Sequence, residues 1–126
     1  MAPPSVRYIV DDVTAAVDFY TGLLGFEAVA DQSPAFAIVA RDGLRLLLSA
    51  PRGPGGAARP MPDGSVPEPG GWNRIQMEVA DVAAEAARLR ESGARFRGDL
   101  VTGRGGIQIL LEDPSGNLVE LFQPAG

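Results

Sequence analysis

A run of alternating polar and apolar residues lies past the middle of the 126-residue chain. Its polar positions are Arg74, Gln76 and Glu78. Because strand side chains alternate between the two faces of a sheet, these three point to the same side. A guanidinium, an amide and a carboxylate on one face can bind a polar organic ligand. A carboxylate can also act as a general base when desolvation raises its pKa. Glu120, in a second strand-like run near the end of the chain, is the other candidate for that role.

Two residue types that often carry chemistry are absent from the sequence. Without cysteine, the chain has no disulfide, no thiolate nucleophile and no thiolate metal ligand. Without histidine, it lacks the commonest general base and the commonest metal ligand. Any catalysis or metal binding must therefore rely on carboxylates, amides and hydroxyls.

Length and charge restrict the class of protein. A chain of 126 residues fits one compact domain, and we expect a single domain over 1–126. The net charge of −5 argues against a phosphate-binding surface for nucleic acid. No window approaches the roughly 18 apolar residues that cross a bilayer, and the first residues lack the pattern of a signal peptide. We therefore expect a cytoplasmic protein that binds neither nucleic acid nor membrane.

The elements that position these residues follow a pattern that occurs twice. Val10-Asp11-Asp12 opens one alanine-rich helical stretch, and Val79-Ala80-Asp81 opens another about seventy residues later. Asp12 and Asp81 are predicted N-caps, and Gly25 and Gly93 are predicted helix stops. Strands are predicted at 5–10, 26–30, 35–40 and 44–49 in the first copy, and at 74–79, 107–111 and 118–122 in the second, with a short or irregular strand at 95–100. The sequence therefore predicts an α+β protein of two βαβββ modules.

The two modules are separated by a segment without regular structure. Residues 50–71 contain six prolines and six glycines, too many for a helix or strand. We place module 1 at about 4–50, the segment at 51–71 and module 2 at about 72–124. The segment is either a linker between the modules or a lid over a site, and the sequence does not decide between them.

Several motifs resemble those of the vicinal oxygen chelate superfamily, which includes glyoxalases, bleomycin-resistance proteins, extradiol dioxygenases and fosfomycin-resistance enzymes. The matching stretches are Val10-x-Asp12 leading to Phe19-Tyr20-x-x-x-Leu24-Gly25-Phe26, then 73–81, and Glu112-Asp113-Pro114-Ser115-Gly116-Asn117-Leu118-Val119-Glu120-Leu121. The resemblance implies a glyoxalase-like fold, in which the paired modules form a curved mixed sheet, or cup. It also implies a homodimer.

Metal-dependent members of that superfamily place four ligands on four strands. Motif spacing puts the corresponding positions at Ser5, Leu47, Arg74 and Glu120, and only Glu120 matches the family pattern. A leucine cannot coordinate and an arginine repels a cation, so the resemblance predicts no catalytic metal here. The alternative is a divalent Zn, Ni, Mn or Fe ion held by ligands elsewhere. Because a buried carboxylate needs a partner, we hypothesise that an Arg74–Glu120 ion pair replaces the metal centre.

Two classes of function follow from these observations. The first is a bleomycin-resistance type of protein that binds a small organic ligand in the cup between the modules without a metal. The second is a lyase, isomerase or dioxygenase-type enzyme, either metal-dependent or metal-free with Glu120 or Glu78 as the base. Glu120 is the catalytic candidate. The ligand-binding candidates are Ser5, Arg7, Leu47, Trp72, Arg74, Gln76, Glu78, Gln108 and Phe122.

Overall fold

A computed structural model describes residues 4–51 and 59–126. By its internal contacts the chain divides into two compact units, Met1–Pro69 and Gly70–Gly126. Part of the predicted linker or lid, residues 52–58, lies outside the described residues. Its described remainder is divided at Pro69, with 59–69 in the first unit and Gly70 and Gly71 in the second.

The first unit is a four-stranded mixed sheet with one helix. Strand β1 (Val6–Ile9) is followed by helix α1 (Val13–Leu23) and by strands β2 (Glu27–Gln32), β3 (Phe36–Arg41) and β4 (Leu44–Ser49). The strand order is β1-β4-β3-β2. Strand β1 runs parallel to β4, and the other two pairings are antiparallel.

Local sequence explains where α1 begins and ends. The Asp12 side chain accepts a hydrogen bond from the Ala15 backbone N–H, as expected of an N-cap. The buried positions of the helix follow helical spacing, and they are Val13, Ala16, Val17, Phe19 and Tyr20. Gly25 has a φ of 73°, a left-handed conformation that glycine adopts without steric cost. Both predicted boundary signals are confirmed.

The second unit repeats the plan with one broken strand. Strand β5 (Arg74–Glu78), helix α2 (Val82–Glu91), strands β6 (Arg95–Phe96), β7 (Val101–Thr102), β8 (Gly106–Glu112) and β9 (Leu118–Pro124) follow in order. The sheet order is β5-β9-β8-β6, and β7 also pairs with β8. Strand β5 is parallel to β9, and β8 is antiparallel to β9.

Side-chain hydrogen bonds to backbone N–H groups fix the start of helix α2 and the β8–β9 turn. Asp81 accepts from the Ala84 backbone N–H, and Val82, Ala86 and Leu89 are buried. In the turn, the fully buried Asp113 carboxylate accepts from the backbone N–H groups of Ser115 and Asn117. A side chain that satisfies backbone donors in this way fixes the connection between two central strands.

The α+β fold class with two βαβββ units is confirmed, and the structure refines one strand prediction. A short or irregular strand was expected at 95–100, and the structure has two short strands, β6 and β7, that both pair with β8. Gly98, at a φ of 100°, turns the backbone out of the extended conformation between them. In the part of the chain that the structure describes, neither helix is long and apolar enough to cross a membrane.

Candidate functional site

The strand candidates of the second unit lie on the sheet face that is turned away from α2. Helix α2 marks the other face, because the guanidinium of its Arg90 lies 4.8 Å from the centroid of the Phe96 ring. Phe96 is paired with Leu111, which is fully buried. Because side chains alternate along a strand, every second residue of β8 counted from Leu110 lies on the face opposite Leu111. Residues paired across strands share a face, so the register carries this assignment to β9 and β5. These positions are Gln108, Leu110, Glu112, Leu118, Glu120, Phe122, Arg74, Gln76 and Glu78.

Arg74, Gln76 and Glu120 form one hydrogen-bonded cluster on that face. Arg74 Nε donates to Glu120 Oε1 at 3.0 Å, and Gln76 Nε2 donates to Glu120 Oε2 at 2.7 Å. The parallel register explains the contacts, because Gln76 is directly opposite Glu120 and Arg74 is opposite Leu118, two residues earlier. The contact that the sequence predicted between Arg74 and Glu120 is therefore present. Its role in place of a metal stays a prediction.

The hydrogen bonds of the cluster compensate the buried negative charge of Glu120. Glu120 is only 8% exposed, and each of its carboxylate oxygens has a donor. An unpaired carboxylate at this depth would cost several kcal/mol, on the order of the penalty for a buried ion. The Arg74 side chain is 28% exposed, so the ion pair opens on one side toward solvent. The arrangement fixes the Arg74 guanidinium at a position that solvent reaches.

The remaining candidates of this unit are spread along the same face. Glu78 is paired with Phe122, and Phe122 is also paired with Gln108, so these three form one row across the sheet. Glu78 is exposed, whereas Phe122 and Gln108 are half-buried. The row follows the Gln76–Glu120 row along β5 and β9. The structure therefore brings this group of predicted residues onto one continuous surface.

Trp72 stands just before β5, and its environment involves a residue that the sequence analysis missed. The guanidinium of Arg97 lies 4.9 Å from the centroid of the Trp72 ring. Arg97 also forms an ion pair with Glu112, at 2.9 Å between Nε and Oε2. Glu112 was detectable, because it continues the alternation of Gln108 and Leu110 along β8. Arg97 was not, because the turn at Gly98 breaks the strand that was expected there.

The three candidates of the first unit lie at β1 and β4. Arg7 and Leu47 are directly opposite each other in the parallel pairing, and Ser5 immediately precedes β1. Arg7 Nη1 donates to Ser49 Oγ at 2.8 Å, a contact that the sequence analysis did not foresee. Ser5 and Arg7 are exposed and Leu47 is half-buried. The structure thus places Arg7 and Leu47 side by side.

A cavity of about 790 Å³ lies in the first unit, and Ser5, Arg7 and Leu47 are not among its lining residues. None of its lining residues was a candidate in the sequence. Five of its described lining residues are prolines, and Asp11, Asp12 and Glu68 are the charged members. Asp12 already serves as the N-cap of α1. The cavity therefore does not coincide with the Arg74–Glu120 cluster.

The side chains at the family's ligand positions do not fit a divalent metal. Leu47 offers no donor atom, Arg74 is a cation, and both oxygens of Glu120 accept hydrogen bonds. Divalent ions bind through several oxygen or nitrogen donors at once. Within 4–51 and 59–126, no group of three or more Asp or Glu residues is arranged to hold a metal ion.

Comparisons with known proteins identify the family. The family model of the Glyoxalase/Bleomycin resistance protein/Dioxygenase superfamily matches residues 3–121. Among solved structures, TnmS3, an antibiotic-binding protein from Streptomyces sp. CB03234, is 30% identical, with a TM-score of 0.66 and 99% of each chain covered. A superfamily member from Sphaerobacter thermophilus is 26% identical, with a TM-score of 0.71 and 98% of each chain covered.

The fold is shared with more distant proteins as well. Lactoylglutathione lyase from Agrobacterium tumefaciens is 21% identical, with a TM-score of 0.72, and the match covers 97% of this chain and 92% of the lyase. No curated protein sequence matches significantly. The family model spans nearly the whole chain, and the protein belongs to the Glyoxalase/Bleomycin resistance protein/Dioxygenase superfamily.

Proposed function

We propose that this protein binds a small organic molecule without a catalytic metal. The ligand lies on the face of the second unit's sheet that carries Arg74, Gln76 and Glu120. The observation that carries the proposal is the engagement of both Glu120 oxygens by Arg74 and Gln76. Glu120 is the one position where the family's ligand pattern is kept, and here its lone pairs are directed at donors of the protein itself.

The chemistry of the face supports recognition of an organic ligand. Arg74 and Gln76 are fixed donors, Glu78 is an exposed acceptor, and Phe122 contributes apolar area beside Glu78. Such a mixture of an apolar surface with a few oriented polar groups is typical of small-molecule sites. The similarity to TnmS3, which is described as antibiotic-binding, agrees with this class of function.

A thermal-shift screen tests the proposal. The purified protein is heated with a panel of antibiotics and small aromatic metabolites, and a ligand that binds the folded state raises the melting temperature. Arg74→Ala is expected to abolish the shift given by any ligand found. Arg104→Ala is the matched control, because Arg104 is an exposed arginine of the same unit whose side chain makes no hydrogen bond or ion pair within the described residues. An unchanged affinity in Arg74→Ala would show that the site lies elsewhere.

A metal-free enzyme is the second candidate function. Glu78 is the candidate base, because its carboxylate has no hydrogen bond or ion pair within the described residues, lies on the same face, and would be desolvated by a ligand that covers it. Glu120 is less suited to be the base, since Arg74 and Gln76 already occupy its oxygens. A ligand that the protein converts, with turnover lost in Glu78→Gln and binding kept, would favour this function over binding alone.

Two further expectations belong to this proposal. We expect a homodimer, which size-exclusion chromatography with light scattering measures directly. We also expect the protein to reside in the cytoplasm, which fractionation of the producing cell would test.

A further inference from the structure

Trp72 is the most exposed large hydrophobic residue in the described part of the chain. Its exposure is 67%, although a tryptophan side chain is costly to leave in water. The Arg97 guanidinium lies over the ring at 4.9 Å from its centroid. That distance is within the range of a cation–π contact, so one face of the ring has a partner. The high exposure leaves the rest of the ring accessible.

Arg97 is itself held in a fixed orientation. Its Nε donates to Glu112 Oε2 at 2.9 Å, its Nη1 to the Gly71 carbonyl at 3.0 Å, and its Nη2 to the Gly116 carbonyl at 3.1 Å. Three acceptors that engage three different nitrogens define the plane of a guanidinium, which a flexible ammonium group would not achieve. Because Gly71 immediately precedes Trp72, Arg97 contacts both the ring and the backbone that carries it.

The backbone before Trp72 is fixed by a second contact. The Gly70 N–H donates to Asn117 Oδ1 at 2.8 Å, and Asn117 is held in turn by the buried Asp113. Gly70 and Gly71 have φ angles of 102° and 88°, which other residues rarely adopt. The Trp72 ring is thus presented on an anchored segment. Anchoring before binding lowers the entropy that a ligand must overcome.

We propose that Arg97 is a positioning residue that holds the Trp72 ring as a stacking surface for a flat, uncharged aromatic group of the ligand. This rests on the proposed function and adds to it the class of ligand. A flat aromatic group gains most from a fixed ring, because stacking depends on the relative orientation of the two planes. A saturated group of the same size gains binding free energy only from the apolar area that it buries, and that gain does not depend on the orientation of the Trp72 ring.

Binding of two matched probes tests the proposal. The probes are 2-naphthamide and its decahydro analogue, which are both uncharged and similar in size but differ in flatness. We expect the native protein to prefer 2-naphthamide by about fivefold, and Trp72→Leu to abolish the preference. Arg97→Met is expected to reduce the preference to below about twofold. Arg95→Met, which removes a neighbouring exposed arginine, is expected to leave it unchanged.

A ligand-free measurement separates positioning from a general loss of stability. Trp72 is the only tryptophan of the chain, so its fluorescence reports on this ring alone. We expect faster local depolarisation of the emission and easier quenching by acrylamide in Arg97→Met. Arg97→Lys, which keeps the charge without the planar fork, should be intermediate. Circular dichroism checks that each variant is folded, and Glu112→Gln provides a second variant that loosens Arg97 without removing it.

The outcomes distinguish this inference from the proposed function. If Trp72→Leu abolishes the preference while Arg97→Met and Glu112→Gln keep it, Arg97 is not the positioning residue. If neither probe binds the native protein, or if Trp72→Leu binds both as before, Trp72 is not a stacking surface. In both cases the inference is overturned. The proposed function then stands or falls with the Arg74→Ala result of the ligand screen.

Discussion

At the scale of single residues, the central feature is a carboxylate that has two protein donors. Glu120 is nearly buried, and Arg74 and Gln76 each donate to one of its oxygens. Breaking this pair should lower the free energy of unfolding more than breaking an ordinary surface ion pair, because Glu120 would keep a buried charge without its partner. This loss of stability is limited, since the Arg74 side chain is partly exposed and water screens the interaction. The balance between these two effects can be measured.

A double-mutant cycle gives the coupling between Arg74 and Glu120. Arg74→Met keeps the apolar stem and removes the donors, and we expect it to lower the free energy of unfolding by about 1 to 2 kcal/mol. In the Glu120→Gln background the same change should cost less, because no buried charge is left unpaired. Urea denaturation followed by circular dichroism measures all four proteins. Additive effects within about 0.3 kcal/mol would contradict a direct interaction.

Two exposed aspartates offer a prediction about pH. The Ser33 hydroxyl and backbone N–H both donate to Asp31, and these hydrogen bonds lower the pKa of Asp31 from its ordinary value of 3.8. Ser65 lowers the pKa of Asp63 in the same way. Each contribution to stability is therefore complete above pH 3.8 and is lost as the pH falls through the lowered value in the folded protein.

Carboxyl chemical shifts followed by NMR through an acid titration test this prediction. The Ser33→Ala variant removes the hydroxyl, which is the main cause of the shift, and should move the pKa of Asp31 upward. Asp63 serves as the internal control and should titrate as before. A pKa of Asp31 that is the same in the native protein and the variant would show that the hydrogen bond to the hydroxyl is not maintained in solution.

At the scale of elements, the start of β8 requires glycine. A Cβ atom added to Gly106 would lie 2.0 Å from the Gln123 carbonyl oxygen, and its φ is 151°. The neighbouring Gly105 has space, since its added Cβ would meet the Phe122 ring at 3.8 Å, an ordinary contact. The two glycines therefore differ in what they allow, although they are adjacent in the sequence.

Alanine substitutions at these two positions make a matched pair. Gly106→Ala must separate β8 from β9 at this end, and we expect a loss of more than about 2 kcal/mol in the free energy of unfolding. Gly105→Ala should change it by less than about 1 kcal/mol. Thermal and urea denaturation measure both variants. Equal destabilisation by the two substitutions would contradict the close approach at Gly106.

At the scale of the whole molecule, the repeated pattern made most of the fold predictable. Asp12 and Asp81 marked the two helix starts, and alternation in β5 placed Arg74 and Gln76 on one face. The Arg74–Glu120 contact followed, because two adjacent strands with a known face leave few partners for a buried carboxylate. Arg97 could not be found in this way. Its position depends on a turn at Gly98 and on carbonyl acceptors at Gly71 and Gly116 that are distant in the sequence.

We predict that the protein as a whole contains no bound divalent metal. A metal present at about one hundred times its dissociation constant would stabilise the folded state by about 2.7 kcal/mol. For a chain of this size such a change corresponds to about ten degrees in melting temperature. Dialysis against a chelator should therefore leave the melting temperature unchanged within about one degree if no metal is bound.

Elemental analysis of the protein as purified completes that test. We expect Zn, Ni, Mn and Fe well below one equivalent, and no thermal shift when each ion is added back after dialysis. The physical reason lies in the side chains at the family's ligand positions, where Leu47 has no donor and Arg74 is a cation that engages Glu120. One equivalent of metal that the chelator removes, together with a lower melting temperature, would contradict this prediction. It would also mean that other side chains hold the ion and that the metal-dependent enzyme is the better description of the protein.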